Sequence, residues 1–504
     1  MKRRDFCKEI VILPASAALV SVPRLGYAAT PAQAEQAATA SSGTGAHHLL
    51  SKQAYEGNVP PYVKYWRETD MDGIGPDGKP VPGYKSTRTG SPAAKTAHDP
   101  SKKPHEMKLT REEQAIMDGK KGEAAAKLMQ TIVRHGNLFS ATKLVDLGGN
   151  PHSSMFIGSA FMGPFLKIFS QCADEGLKSY APYTINPRPF DLYNVQITPE
   201  LANMMFEGLP LQTEVDHLHN RLGGRPMNTR SCMCYLPEVG NEPEKGTFVA
   251  WGESSAINAI NSLYGVRTNR NAAGMEVMCA LLGKAPYFGL MTDEGRKATW
   301  LIEVKTSGEP DWGTLGGAIG EKCVEDTPYI VGIDKYLDGK LTPENLHKVK
   351  AMGAATASSG AVGLYHVENI TPEAKDKGRD LLAEGYQTYV IDDMELKRVR
   401  DAFPNLWPKK VKKPTAVHIG CPHNTYHELE IWGDAIHKAL KDASKDKVAL
   451  QTVMFCSTVV RDHFFMDHGT GIVIGENCLL IRSSRTLAGS INLLIPDSGA
   501  SSLP

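Results

Sequence analysis

Apolar and polar positions along this chain of 504 residues fall into two rhythms, helical and extended, that take turns from Leu109 onward. Thr110-Arg-Glu-Glu113 has the order of a capping box, in which the hydroxyl takes an orphan N–H and the glutamate reaches back, so a helix is expected there. Gly122 to His135 follows, with Leu128, Met129, Ile132 and Val133 on one face and Gly136 as the expected stop. Thr247 to Asn269 reads as an apolar strand, a small polar turn at Glu253-Ser254-Ser255 and an amphipathic helix closed by Gly265. Ala361 to Val367 reads as a buried strand, and Thr371-Pro372-Glu373 opens a helix with proline at its first position. Ala416 to Gly420 reads as a strand, Thr425-x-x-Glu428 caps the next helix, and Leu450 to Phe455 and Gly471 to Ile474 read as further strands. This succession predicts an α/β fold with mostly parallel sheets.

The first hundred residues break both rhythms. MKRRDFCKE carries Arg3-Arg4, an apolar run extends from Ile10 to Val22, and Gly26-Tyr27-Ala28 supplies small residues for cleavage. The pattern resembles a twin-arginine export signal over residues 1–29 and predicts a periplasmic protein. The alternative, a membrane anchor, is disfavoured because the run falls short of the ~20 residues a span needs and is interrupted by Pro14 and bounded by Pro23. Residues 30–106 are rich in Gly, Pro and charge without a sustained period, as in an extended arm or linker. With 56 basic and 56 acidic residues, the chain carries no net charge that would draw it to nucleic acid or an acidic membrane. A small molecule or another subunit is the expected partner.

The candidate chemistry lies in one polar turn and a set of cysteines. At Glu253, Ser254 and Ser255, the unpaired N–H groups of a helix start favour an anionic substrate group. Asn261 lies about two turns later, and Arg267-Thr268-Asn269 follows the helix. Of nine cysteines, Cys421, Cys456 and Cys478 each follow or close a strand, where ligand crevices of open α/β sheets lie. Cys232 and Cys234 form a C-x-C pair, while Cys172, Cys279 and Cys323 lie in more helical or irregular text. Thiolates select soft metals and iron–sulfur clusters. In an exported protein, disulfides or buried thiols are the alternative. A thiol–disulfide oxidoreductase is the weaker reading, because no C-x-x-C stands at a helix start.

From Met107 to about residue 480 the chain resembles the aconitase X family of aconitase-like hydro-lyases. The resemblance rests on MKLTREEQAIMDGKKGEAAAKLM, YTINPRPFD, CMCYLPEVGNEP, FVAWGESSAINAINSLYGVRTNR, KAPYFGLMTDE, DWGTLGGAIG, AMGAATASSGAVGLYHVENITPEA and IGCPHNTYHELE, in that order. It implies an aconitase-like multi-subdomain catalytic domain over 107–504 that dehydrates a small hydroxy acid, of the cis-3-hydroxy-L-proline kind or, in other members, 5-phosphomevalonate. It also implies an iron–sulfur cluster or mononuclear iron held by Cys234, Cys421 and Cys478, with Cys232 as a neighbour and Cys456 as a core thiol. Glu253, Ser254, Ser255 and Asn261 are the implied catalytic group. Arg267, Thr268, Asn269, Thr184, Asn186, Ser358, Ser359 and His423 are the candidates for substrate binding, and His152 falls where the family carries a histidine. Members also need a small swivelling domain; none is recognised after Cys478, so a separate small subunit is expected. The rival from another class is an exported acid-binding protein that keeps the fold, with disulfides in place of iron.

Overall fold

Local chemistry sets where the helices begin. The computed structural model describes residues 105–155, 163–187, 214–403, 416–445, 448–468 and 478–479. The export-type segment, nearly all of the 30–106 arm and the expected strand at Gly471 to Ile474 lie outside them. Contacts divide the chain into one unit of 90–400 with 1–14 and 413–504, and a smaller one of 15–89 with 401–412 that is described only at 401–403.

Both capping boxes form. Thr110 and Glu113 start α1 (Arg111–Met117), with the Thr110 N–H donating to Glu113 at 2.7 Å and the Glu113 N–H to the Thr110 hydroxyl at 3.2 Å. Helix α2 (Glu123–Leu138) runs through Gly136 instead of stopping there. A Cβ at Gly136 would lie 2.2 Å from Met107 Cε and 2.8 Å from Pro286 Cβ, so this glycine permits close packing and does not end the helix. The apolar face of α2 lies in a core with Met155, Phe169, Ile185 and Val277. Around it stand β1 (Leu144–Asp146), β2 (His152–Ser153), α3 (Gly163–Asp174) and β3 (Thr184–Ile185). β2 and β3 pair in parallel, while β1 pairs antiparallel with β4 (Lys284–Pro286).

The stretch read as a strand at Thr247 to Trp251 is extended but joins no regular sheet. It is held by single parallel bridges, Trp251 to His152 and Phe248 to Arg267. It leads into α4 (Ser254–Leu263), followed by α5 (Met275–Leu282). Gly265 has φ +65°, as expected of a helix-terminating glycine.

The next layer is an all-parallel sheet in the order β7 (His366–Val367), β6 (Pro328–Val331), β5 (Ala298–Val304), β8 (Leu382–Ile391). Beside it α6 (Trp312–Cys323) meets α7 (Leu346–Ser359) at glycine contacts, where a Cβ on Gly316 would lie 2.2 Å from the Met352 carbonyl. The strand expected over Ala361 to Val367 shrinks to its last two residues. Side chains of α4 have taken the place of a strand partner: Asn258 donates to the Val362 carbonyl (2.9 Å), Asn261 to the Gly363 carbonyl (2.9 Å), and the Ser262 hydroxyl accepts from the Tyr365 N–H (2.9 Å). Pro372 opens α8 (Pro372–Lys377), and α9 (Asp393–Ala402) follows β8.

A further, three-stranded sheet has β10 (Gln451–Phe455) at its centre, parallel to β9 (Ala416–Ile419) and antiparallel to β11 (Cys478–Leu479). Thr425 and Glu428 cap α10 (Tyr426–Asp442), and α11 (Thr458–His468) follows β10. Cys421 and Cys456 come just after the ends of the parallel pair, and Cys478 opens β11 opposite Phe455, so the three backbones meet at one sheet edge. This edge is the carboxyl end of the strands, where crevices form in α/β sheets.

Candidate active site

Glu253 is the N-cap of α4 and sits at φ +76°, a left-handed conformation that a non-glycine residue seldom adopts. Its carboxylate accepts from the N–H groups of Ser255 (3.0 Å) and Ala256 (2.6 Å) and from the hydroxyls of Ser255 (2.7 Å) and Ser254 (3.2 Å). The expectation of an open anion cradle at this helix start is therefore corrected, because the chain's own carboxylate already occupies it. Burial raises the Glu253 pKa above the usual carboxylate range, and these four bonds only partly offset that.

Facing this turn are the cysteines. Cys232 Sγ accepts from the His423 N–H at 3.2 Å, which ties the C-x-C loop to the turn after β9 where Cys421 sits exposed. Cys234 is fully buried and bonded to the Thr184 hydroxyl. Burial pushes the Cys232 and Cys234 thiols up. Glu253 pushes both further, as does Cys421 on Cys232 and Cys232 on Cys234. The buried Lys350 of α7 acts in the other direction on Cys232 and donates to the His423 carbonyl at 2.9 Å while pairing with Glu428. Cys172, Cys232, Cys234, Cys279, Cys323 and Cys456 are free thiols, and burial pushes Cys456 up to about 12, as befits a core thiol. The thiols that the rival reading pairs as disulfides are thus unpaired at these positions.

On the other side of Thr184 lies His152, fully buried. Its Nδ1 meets the Thr184 hydroxyl and its Nε2 the Asn186 carboxamide oxygen, each at 3.0 Å, and Asn241 donates to Thr184 at 2.7 Å. Burial lowers the His152 pKa to about 4, so its imidazole is neutral at pH 7. His423, also buried, is lowered to about 3 by burial and then by Lys350.

The structure thus brings Glu253, Ser254, Ser255, Thr184, Asn186, His423, Cys234 and Cys421 into one neighbourhood. It places His152 and Cys232, both named from the sequence, there as well and supplies Lys350, which no local motif announces. Cys478 reaches the same sheet edge through its backbone.

Six candidates have structural roles instead. Asn261 spends its carboxamide on the Thr268 and Gly363 carbonyls, the Thr268 N–H and Arg296. Thr268 holds the Trp251 N–H (3.3 Å), Arg267 holds Asp293 and the Met291 carbonyl (2.9 Å), and Asn269 holds Phe288 (3.0 Å) and Leu290 (2.9 Å). Ser358 and Ser359 bond back to the Ala355 carbonyl in the last turn of α7, at 3.2 and 2.7 Å. Their polarity serves the fold, which sequence pattern alone does not distinguish from contact with substrate.

Residues 106–294 match the model of the aconitase X first domain, and 298–401 that of the aconitase X second domain. The chain belongs to the aconitase X family. It is a hydro-lyase of that type. It is 32% identical over 329 residues to the phosphomevalonate dehydratase large subunit of Thermococcus kodakarensis, covering 64% of this chain and 76% of the relative. It is 30% identical to the cis-3-hydroxy-L-proline dehydratase of Pseudomonas aeruginosa, covering 63% of this chain and 52% of that protein. The crystal structure of Thermococcus kodakaraensis aconitase X in its holo form superposes with a TM-score of 0.60 at 28% identity, over 74% of this chain and 86% of that one. No described helix of this aconitase X is long and apolar enough to cross a membrane.

Proposed function

We propose that this aconitase X dehydrates a small hydroxy acid of the cis-3-hydroxyproline kind, with an iron or iron–sulfur centre and a separate small subunit. The observation that carries the reading is the placing of Cys232 and Cys234 beside the Glu253 turn, with Cys421 next to Cys232. Their donor chemistry fits such a centre. The described residues form no ready-made cage of three His, Cys, Asp or Glu side chains. Yet neighbouring thiols that can be deprotonated on metal binding are soft donors, and soft donors select iron in sulfur sites. Cys234 and Cys421 would hold it, with Cys232 between them and Cys478 brought to the same edge. When bound, the iron supplies a Lewis acid for the departing hydroxyl.

The remaining work falls to this chain's own groups. Glu253 fixes the turn, leaving the exposed Ser254 hydroxyl directed to one carboxylate oxygen at 3.2 Å and within reach of a substrate acid. Neutral His152, held from both sides by Thr184 and Asn186, keeps the wall behind Cys234 rigid without adding charge. The name of the Thermococcus relative, a large subunit, supports a small-subunit partner that completes the acid–base machinery. The twin-arginine-like start supports export after folding, and a periplasmic enzyme meets free hydroxy acids more readily than phosphorylated intermediates.

Anaerobic purification followed by iron analysis, visible absorbance and a dehydration assay on hydroxyproline isomers, with and without a small-subunit chain, tests the reading. Bound iron and turnover of a hydroxyproline support it; protein without iron and without thiolate-to-iron absorbance overturns it. A second substrate, 5-phosphomevalonate, belongs in the same assay because the Thermococcus relative of that name shares 76% of its length with this chain.

A further inference from the structure

Glu276 enters no step above. It lies in the first turn of α5 and is 1% exposed. Its Oε1 accepts from the Ser154 N–H (2.8 Å), the Ser154 hydroxyl (3.0 Å) and the Ser153 hydroxyl (3.4 Å). Its Oε2 has no hydrogen-bond partner among the described residues. Packing places it directly behind the active-site turn. A Cβ on Gly252 would lie 2.5 Å from Ser154 Oγ and 2.9 Å from Glu276 Cδ, so the carboxyl backs the peptide that delivers Glu253. The serines it holds adjoin His152.

An ionised carboxylate with one bare oxygen in such a place costs several kcal/mol, whereas a neutral acid costs far less. Among the described residues, the groups around it offer no compensating charge. Tyr183, beside β3, and Cys279, one turn along α5, are both pushed up by burial and then by Glu276, and stay neutral at pH 7. Arg230, whose charge reaches Tyr183, is committed to Asp216 at 2.6 Å. Burial raises Glu276 to about 7 against the opposing bonds from its own N–H, Ser154 and Gly274.

We propose that Glu276 is a positioning residue of the hydro-lyase site: its carboxyl group fixes Ser153 and Ser154, and through them His152, against the Gly252–Glu253 turn. This rests on the site assigned above and not on the identity of the substrate.

The test compares wild type, Glu276→Gln and Glu276→Ala. Glutamine keeps the shape, an acceptor and a donor but never ionises. An unfolded glutamate ionises near 4.5 while the folded one holds its proton to about 7, so wild-type stability falls as pH rises through that window. The wild-type unfolding constant is expected to rise about 300-fold relative to Glu276→Gln across it. Hydrogen exchange at the Ser154 N–H reads positioning without any substrate: it should be slow in wild type and in Glu276→Gln, and fast in Glu276→Ala. With iron-loaded enzyme, a small-subunit chain, and cis-3-hydroxy-L-proline or 5-phosphomevalonate as probe, Glu276→Gln, which keeps an acceptor for the serines, should keep kcat within a few-fold of wild type. Glu276→Ala should lose about tenfold or more throughout. Equal pH slopes of stability in wild type and Glu276→Gln, or exchange in Glu276→Gln as fast as in Glu276→Ala, overturn the proposal. Absence of turnover on either probe counts against the substrate reading, and the stability and exchange results still decide the role of Glu276.

Discussion

Replacing Arg296 by methionine removes the cation from the most enclosed ion pair in the neighbourhood of α4. Arg296 is 1% exposed and gives Glu373 contacts of 2.9, 3.0 and 2.7 Å, the Asn261 carboxamide oxygen 3.0 Å, the Asn261 carbonyl 3.0 Å and the Leu290 carbonyl 2.9 Å. Burial alone would raise Glu373, but the guanidinium outweighs it and holds the carboxyl below its usual range. Methionine fills much of the volume yet takes the guanidinium donor from a buried carboxylate and from the Asn261 and Leu290 carbonyls, while the Asn261 carboxamide oxygen keeps only the Thr268 N–H. Breaking a buried pair from one side costs about 3–5 kcal/mol, or on the order of a thousandfold in the unfolding constant at the middle of that range. The assay is urea unfolding at pH 7 of wild type, Arg296→Met, Glu373→Leu and the double variant. The double variant should recover about 2 kcal/mol or more of the summed single losses, since it leaves neither charge stranded. Singles that cost under about 1 kcal/mol, or a double equal to their sum, would refute the reasoning.

Three further outcomes follow from the site. Cys421→Ser and Cys234→Ser should lower iron content by more than half in anaerobically purified protein, whereas Cys456→Ser, in the core, should leave it unchanged; iron analysis decides. Gly252→Ala should reduce turnover by about a hundredfold, because the added methyl meets Ser154 Oγ at 2.5 Å and displaces the turn by a fraction of an ångström or more; unchanged kcat would show that the turn adapts freely. Glu253→Gln weakens the cap of α4 by about 1 kcal/mol and should abolish most turnover while iron stays bound; loss of the iron instead would make Glu253 a support of the centre.

What could be read from the sequence was chemistry confined to a few neighbouring residues. Thr110 with Glu113 and Thr425 with Glu428 announce their helices because two residues three positions apart carry the whole capping interaction. The cysteines at the strand ends were legible for a similar reason, since an α/β sheet gathers its strand ends at one edge. Glu253 is legible as the start of a helix, but not the use of its own side chain there. A carboxylate at N-cap is itself an anion, and it fills the helix start that a substrate would otherwise use. Asn261 and the Arg267–Asn269 run looked like substrate contacts because buried structural amides and recognition amides have the same composition. Only their partners tell them apart. Lys350 and Glu276 escaped notice because their partners lie 73 to 123 positions away, beyond any periodic signal.

The bond between His423 and Cys232 joins positions 191 residues apart, and it also dictates an order of events during synthesis. On a ribosome adding ~5–20 residues per second, the C-x-C loop and the Glu253 turn wait about 10–40 s before the segment bearing Cys421 emerges. Both matched family domains have left the ribosomal active centre by then, since they end at residue 401. The nascent chain therefore holds a half-walled site with thiols open to oxidants and to stray metals. On the function proposed above, iron insertion belongs to the finished chain. Any export must queue behind it, so the last hundred residues act as a timer for maturation as well as a wall of the site.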